Sequence, residues 1–313
     1  MAERRLAGQP APAHRRFYLS PRARDNIAGH LFILPWLIHL VVLIAVTMLA
    51  SLGISFFDTD FLTKAEFVGL QNFSNLLSDP LFWKSLANTA YYAFVAVPLG
   101  IGFALGIALL LNQKVKAVGG FRLIYYTPSI VSGVAVAIIW QYVLNPRYGL
   151  LNQGLALFGI KGPQWLYSQQ WAMPAFIVMG VWGAGASMLL YLAGLQGIPT
   201  TLYEAAKIDG ANAFGRFRAV TLPMLTPTIL FNLIASLIAS WQIFSQSYLM
   251  TQGGPNNATL TMVLYLYRKA FQQFHFGYAS AIAWVLFLIV LVFTALVLRS
   301  SEMWVFYEGE VRN

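Results

Sequence analysis

The chain has 313 residues, 58% of them hydrophobic and only 10% charged, with a net charge of +9 and no cysteine. Soluble domains carry roughly 25% charged residues, so this composition makes lipid the solvent for much of the surface. The absence of thiols excludes disulfides and thiolate-bound metals.

Six windows free of Asp, Glu, Lys and Arg run over 26–57, 85–113, 123–146, 162–203, 219–267 and 270–298. Each exceeds the ~20 residues that a bilayer-spanning helix needs. They predict an all-α integral membrane protein with spans at about 31–56, 86–111, 123–144, 172–196, 224–248 and 277–298. Residues 1–27 form a basic tail and 28–313 the membrane domain. The apolar run of the first span exceeds the 7–15 residues of a signal-peptide core and follows a long basic leader, so it reads as an uncleaved span. His39 lies within it. It reads as a neutral histidine bonded to a neighbouring helix, or as a weak proton relay.

The 57–85 loop is aromatic-rich and predicts a short interfacial helix. The second span carries Gly102-x-x-x-Gly106, a spacing that lets helix backbones approach closely. Pro128 near the start of the third span can open backbone groups. The polar stretch Thr251–Thr261 divides the fifth window into a span and a loop. Six spans place both termini on one side. That side holds 14 Lys and Arg residues against 6 on the other, so the positive-inside bias makes it cytoplasmic. The basic charge is thereby topological, and nucleic acid is excluded as a partner.

No ionisable Asp, Glu, Lys or Arg lies in a span, which disfavours a proton-coupled carrier but leaves sodium coupling through carbonyls open. The chain has no His-x-x-x-His, no Gly-x-Ser-x-Gly and no Gly-x-x-x-x-Gly-Lys-Ser/Thr. It therefore reads as a non-enzyme, and energy for active transport must come from a partner. Loop 197–223 holds Thr201-x-x-Glu204, which fits a capping box, then helix-favouring Ala205 and Ala206. Gly210 can end that helix in the left-handed conformation. By itself the loop could be only a well-capped connector.

Glu204-Ala205-Ala206, Gly210 and Leu222-Pro223 together resemble the EAA signature of ABC importer permeases. Phe67-Val-Gly-Leu-Gln-Asn-Phe73, Thr251-Gln-Gly-Gly-Pro255 and Phe276-Gly-Tyr-Ala-Ser-Ala281 are similar to the carbohydrate-uptake branch, of the maltose-permease and glycerol-phosphate-permease type. The resemblance covers the chain from about residue 28. The sequence shows no counterpart of the large outer domain and extra N-terminal spans of the enteric maltose permease, so binding-protein contacts seen there are not carried over. The resemblance implies a type I importer permease core in a bacterial or archaeal inner membrane. Its implied partners are a second homologous permease, two ATPase subunits that use ATP and magnesium, and an extracytoplasmic solute-binding protein. This chain itself would hold no cofactor. The resemblance also implies ATPase coupling through Glu204, Ala205, Ala206, Asp209 and Gly210. It places Tyr125, Ser129, Trp182, Gly183, Trp241 and Gln242 at or beside sugar-contacting positions; the same spans carry Ser187, Ser245 and Gln246 as further hydrogen-bonding groups a sugar could use. The alternative roles of these residues are interfacial belts for Tyr and Trp and helix–helix hydrogen bonds for Ser and Gln. A sugar or oligosaccharide is the expected solute, with a glycerol phosphate or polyol derivative, or an ATP-independent carrier, as alternatives.

Overall fold

The computed structural model describes residues 20–113 and 116–306. Most of the basic tail, together with Lys114 and Arg312 of the charge count, lies outside them. The chain divides into two units between Ser51 and Leu52, a boundary that falls inside the first long helix, α1 (Asp25–Ile54). This helix is apolar around its circumference and passes through a π-helical segment, His39–Val46. His39, the relay candidate, is exposed on it.

The rest of the described chain forms the second unit and is almost entirely helical. A hairpin of β1 (Phe57–Thr59) and β2 (Ala65–Phe67) pairs antiparallel with Phe57 opposite Phe67. Its turn is organised by Asp60, whose carboxylate accepts the Leu62, Thr63 and Lys64 amides at 2.8–2.9 Å. The short helix expected in this loop follows as α2 (Gln71–Ser78); the hairpin was not foreseen. Asp79 then caps α3 (Pro80–Leu111), accepting the Leu81 amide at 2.9 Å, with Pro80 at the position where a missing N–H costs nothing.

The third and fourth predicted spans are broken helices. In the third, α4 (Val118–Ile130) meets α5 (Gly133–Val143) at 104°, which corrects the single helix expected over 123–144. Pro128 remains inside α4, and the break comes at extended Val131 and Ser132, whose hydroxyl accepts the Ala135 amide at the start of α5. A short helix, α6 (Leu150–Ala156), precedes α7 (Ala172–Trp182) and α8 (Gly185–Gln196), which bend by 41° around Gly183–Ala184. Their outer bounds coincide with the expected 172–196. Beyond α9 (Thr200–Ile208) lies α10 (Ala213–Trp241), which starts well before the expected residue 224. It runs through Pro223 without a break, because a π turn at Phe217–Thr221 lets the Leu222 amide reach the Phe217 carbonyl and absorbs the proline. After a tight turn come α11 (Met262–Tyr267) and the final helix α12 (Phe276–Trp304). Among the described residues, four helices are thus long and apolar enough to cross a membrane, or up to six spans if each bent pair counts as one.

Helix α3 is the central post, packing on α7, α8, α10 and α11. Among the small residues it buries are Ala104 and Ala108, packed with Met188, Tyr191, Leu192 and Leu225. Gly102 and Gly106 face open space instead. The two-residue offset from Gly102 to Ala104 turns the glycine stripe about 200° away from the contact.

Asp79 also ties three elements together at one end of the bundle. Its Oδ2 accepts the Tyr278 hydroxyl at 2.7 Å and the Tyr265 hydroxyl, while Lys269 sits 5.4 and 5.1 Å from those two ring centres. Burial pushes the Asp79 carboxyl up, but the two hydroxyls, the Leu81 amide and the Lys269 charge outweigh it. The carboxyl is held below the usual carboxylate range. Its ionised form therefore stabilises the fold above the ordinary value of about 3.9, and that contribution is lost as pH falls through the lower native value. Replacing Tyr265 and Tyr278 by Phe together should raise this titration. The fall in melting temperature between about pH 6 and about pH 3 should then shrink relative to wild type.

Candidate functional site

A cavity of about 400 Å³ opens between α3, the α7–α8 bend and the end of α10. This is a size that takes a small ligand. Its polar groups are the Tyr92 hydroxyl, the serines at 187, 236, 240 and 245, and the amides of Gln242 and Gln246. No charged side chain lines it among the described residues. Gly180 opens room for Tyr92, since a Cβ there would lie 2.7 Å from the Tyr92 hydroxyl. The helix breaks at Gly183–Ala184 and after Trp241 both fall on the cavity wall. Non-helical backbone at membrane depth is tolerated where it lines a cavity. The site can thus offer hydroxyl and amide hydrogen bonds without a fixed charge or a nucleophile–base pair.

The six pathway residues read from the sequence separate here. Gly183 and Gln242 line the cavity, as do Ser187, Ser245 and Gln246. Tyr125 and Ser129 lie elsewhere on α4, half-buried, with the Ser129 hydroxyl bonded to the Tyr126 carbonyl at 2.7 Å. The Tyr125 backbone presses on α8, where a Cβ at Gly185 would stand 2.1 Å from the Tyr125 carbonyl oxygen. Gly185→Ala should therefore push α4 off α8 and cost about 1–3 kcal/mol, read as a lower melting temperature. Trp182 is partly exposed and meets Trp140 edge-on at 5.7 Å.

Trp241 is a core residue, 1% exposed and stacked on Phe293 at 5.5 Å. Its helix turns the ring away from the cavity that neighbouring Gln242 lines. Trp241→Phe should leave uptake within about twofold of wild type, while Trp241→Ala should cost about 3–5 kcal/mol of stability. Tyr92, Gly100, Gly180, Ser236 and Ser240 line the cavity but escaped sequence reasoning. Tyr92, Ala96 and Gly100 recur every four residues, a one-face signal that was present in the sequence.

The 197–223 loop forms a separate feature. Helix α9 starts at Thr200 after Pro199, with no side-chain cap, so the Thr201–Glu204 capping box does not form. The proline presets the turn into the helix and has no N–H to satisfy. At the other end Gly210 takes φ +79°. The Gly210 amide reaches the Lys207 carbonyl at 3.0 Å, and the Ala211 amide reaches Ala206 at 2.9 Å. This pair of bonds is a Schellman closure, as expected of Gly210. Asn212 caps the next helix through the Gly215 amide at 2.8 Å, and Tyr203 bonds Thr221 at 3.0 Å, fixing α9 against α10. Glu204, Ala205 and Asp209 are exposed, Ala206 half-buried, and Ile208 and Phe214 stand out at 87% and 70% exposure.

Residues 96–302 match the model of one family, described as the binding-protein-dependent transport system inner membrane component. The chain belongs to that family. It is 41% identical over 292 residues to a probable ABC transporter permease protein, YesP, of Bacillus subtilis, covering 92% of this chain and 94% of that one. It is 37% identical over 281 residues to the trehalose/maltose permease protein MalF of Thermococcus litoralis, covering 88% and 94%. The lactose permease protein LacF of Rhizobium radiobacter is 37% identical over 278 residues, covering 87% and 93%. The fold is shared with a chain of a bacterial ABC transporter that imports the acidic polysaccharide alginate. The TM-score there is 0.78 at 23% identity, covering 90% of this chain and 96% of that one.

Proposed function

We propose that this permease is one half of the membrane pathway of a binding-protein-dependent ABC importer for a saccharide. Its six spans would place both termini in the cytoplasm. The observation that supports this reading best is the uncharged, hydroxyl- and amide-lined cavity between α3, α7–α8 and α10. Sugars are recognised by such groups, and an anionic solute would call for a cation that this cavity lacks. Relatives named for trehalose/maltose and for lactose transport support the same class.

Loop 197–223 would be the cytoplasmic coupling element. Its exposed face of Glu204, Ala205, Asp209 and Gly210, with Ala206 beneath, suits docking on an ATPase subunit. A second permease would complete the pathway. Two ATPases would supply ATP hydrolysis with magnesium, and an extracytoplasmic binding protein would deliver solute. The test is ATPase activity of the assembled transporter in vesicles, with its binding protein and a panel of neutral saccharides. Stimulation by at least one member is expected. Equal activity with and without every saccharide would overturn the assignment.

A further inference from the structure

The β1–β2 hairpin stands at the end of the bundle where α3 and α12 begin, and its two faces differ in kind. Phe57 and Phe67 are register partners whose rings meet edge-on at 5.3 Å. Alternation puts the next pair, Asp58 and Glu66, on the opposite face, where Lys64 forms an ion pair with Asp58. The hairpin is fixed in place. The Asn72 side chain of α2 donates to the Ser55 and Phe57 carbonyls, both at 2.9 Å. The Phe57 carbonyl lies so close to α12 that a Cβ on Gly277 would stand 1.7 Å from its oxygen. Glycine there lets β1 dock on the first turn of a helix long and apolar enough to span a membrane.

The tip between the strands presents apolar side chains, Phe61 at 60% exposure and Leu62 at 80%. Phe61 takes φ +61°, a left-handed conformation that strains a bulky residue. In it the ring meets Phe276, the first residue of α12, at 4.8 Å. Every amide from Asp60 to Lys64 is satisfied within the hairpin. Asp60 donates to the Lys64 carbonyl at 3.3 Å and Phe61 to the Thr59 hydroxyl at 3.1 Å. Leu62, Thr63 and Lys64 all donate to Asp60 Oδ1, and the Thr63 hydroxyl reaches Oδ2 at 2.6 Å. A loop that stays in water has no need of this, since water completes its amides. A loop that leaves water does, because lipid offers amides no partner.

The tip is also continuous with a lipid-facing surface. Phe287 lies eleven residues beyond Phe276, about three turns, and so on the same face of α12. It and its neighbours Leu288, Leu291 and Val292 are exposed, as the outer side chains of a span are. The Phe61–Phe276 contact extends that surface past the start of the helix.

We propose that the Phe61–Leu62 tip is an interfacial anchor whose partner is the phospholipid surface on its own side of the membrane. The two apolar side chains enter the boundary between headgroups and acyl chains, while the Asp58–Glu66 face stays in headgroup water. Docked through Gly277, the anchored hairpin sets the depth at which α12 enters the membrane.

The chain has no cysteine, so Leu62→Cys and Glu66→Cys each give a single site for a nitroxide label. Both positions are exposed, so neither change disturbs the fold. The labelled full-length chain in phosphatidylcholine vesicles is read by electron paramagnetic resonance. The signal is access to oxygen, which partitions into lipid, against access to a nickel chelate, which stays in water. The label at 62 should favour oxygen and report a depth of about 5–10 Å, and the label at 66 should favour nickel. Adding Asp60→Ala to Leu62→Cys should return that label to water, since three amides lose their acceptor. Equal nickel access at 62 and 66 would overturn the anchor, and so would an equally deep label in the Asp60→Ala chain. A label at 62 that becomes shielded only when partner subunits and a binding protein are added would overturn it as well, making the tip a protein contact.

Discussion

Gly210→Val and Glu204→Lys transporters are expected to insert and fold normally, yet to take up solute about a hundredfold more slowly than wild type. That figure sits in the upper range of a typical coupling free energy. The two variants strike the same element by different routes. Gly210 closes α9 at φ +79° with no atom near a built Cβ, so the cost of valine is conformational, of order 1–2 kcal/mol. This strain unravels the Schellman closure and swings Ala205 and Ala206 out of register. Glu204→Lys leaves the backbone alone and reverses the charge on an exposed face. Exposed substitutions of this kind change stability by roughly 0.5 kcal/mol or less, so lost uptake cannot be laid to unfolding. Vesicle uptake measured beside the amount of inserted protein reads both variants. Uptake within twofold of wild type in either one removes loop 197–223 from the coupling role.

Filling the inner cavity should be as severe by a different signature. Ser187 lines the cavity of about 400 Å³ next to Gly183, and Ser187→Trp places a rigid indole into that space. Uptake is expected to fall at least about a hundredfold, because a pathway whose polar groups are covered offers the sugar only desolvation. ATP hydrolysis should continue, since the substitution lies away from α9. The pair of variants therefore separates two kinds of defect: hydrolysis uncoupled from uptake in Ser187→Trp, and loss of saccharide-stimulated hydrolysis in Glu204→Lys. Unaltered uptake by Ser187→Trp would mean that solute passes elsewhere.

Charge spacing made much of this fold legible. Windows without a single formal charge located every long helix, because burying an unpaired charge in lipid costs several kcal/mol and the sequence avoids it. The breaks were less legible. Pro128 suggested an opening, but the 104° bend sits at Val131–Ser132, where a serine cap gives a new helix its start. Conversely, Pro223 lies inside α10 without breaking it, since a π turn absorbs it. The resemblance placed Gly183 and Gln242, and polar side chains in apolar runs marked Ser187, Ser245 and Gln246; all five line the cavity. Trp241 lies in the core beside the cavity wall, and its indole would suit a sugar platform and a helical core equally well. Only packing against Phe94 and Phe293 decides between them. The hairpin at 57–67 escaped because three-residue strands leave almost no alternation to read.

One measurement bears on the permease reading more directly than any single variant: uptake of labelled maltosaccharides into sealed vesicles. One set of vesicles holds this chain alone. The other holds it with the second permease, two ATPase subunits and the binding protein. Uptake is expected only in the second set, and only with ATP on the ATPase side. Saccharide flux through vesicles that hold this chain alone, without ATP, would contradict a gate driven from loop 197–223.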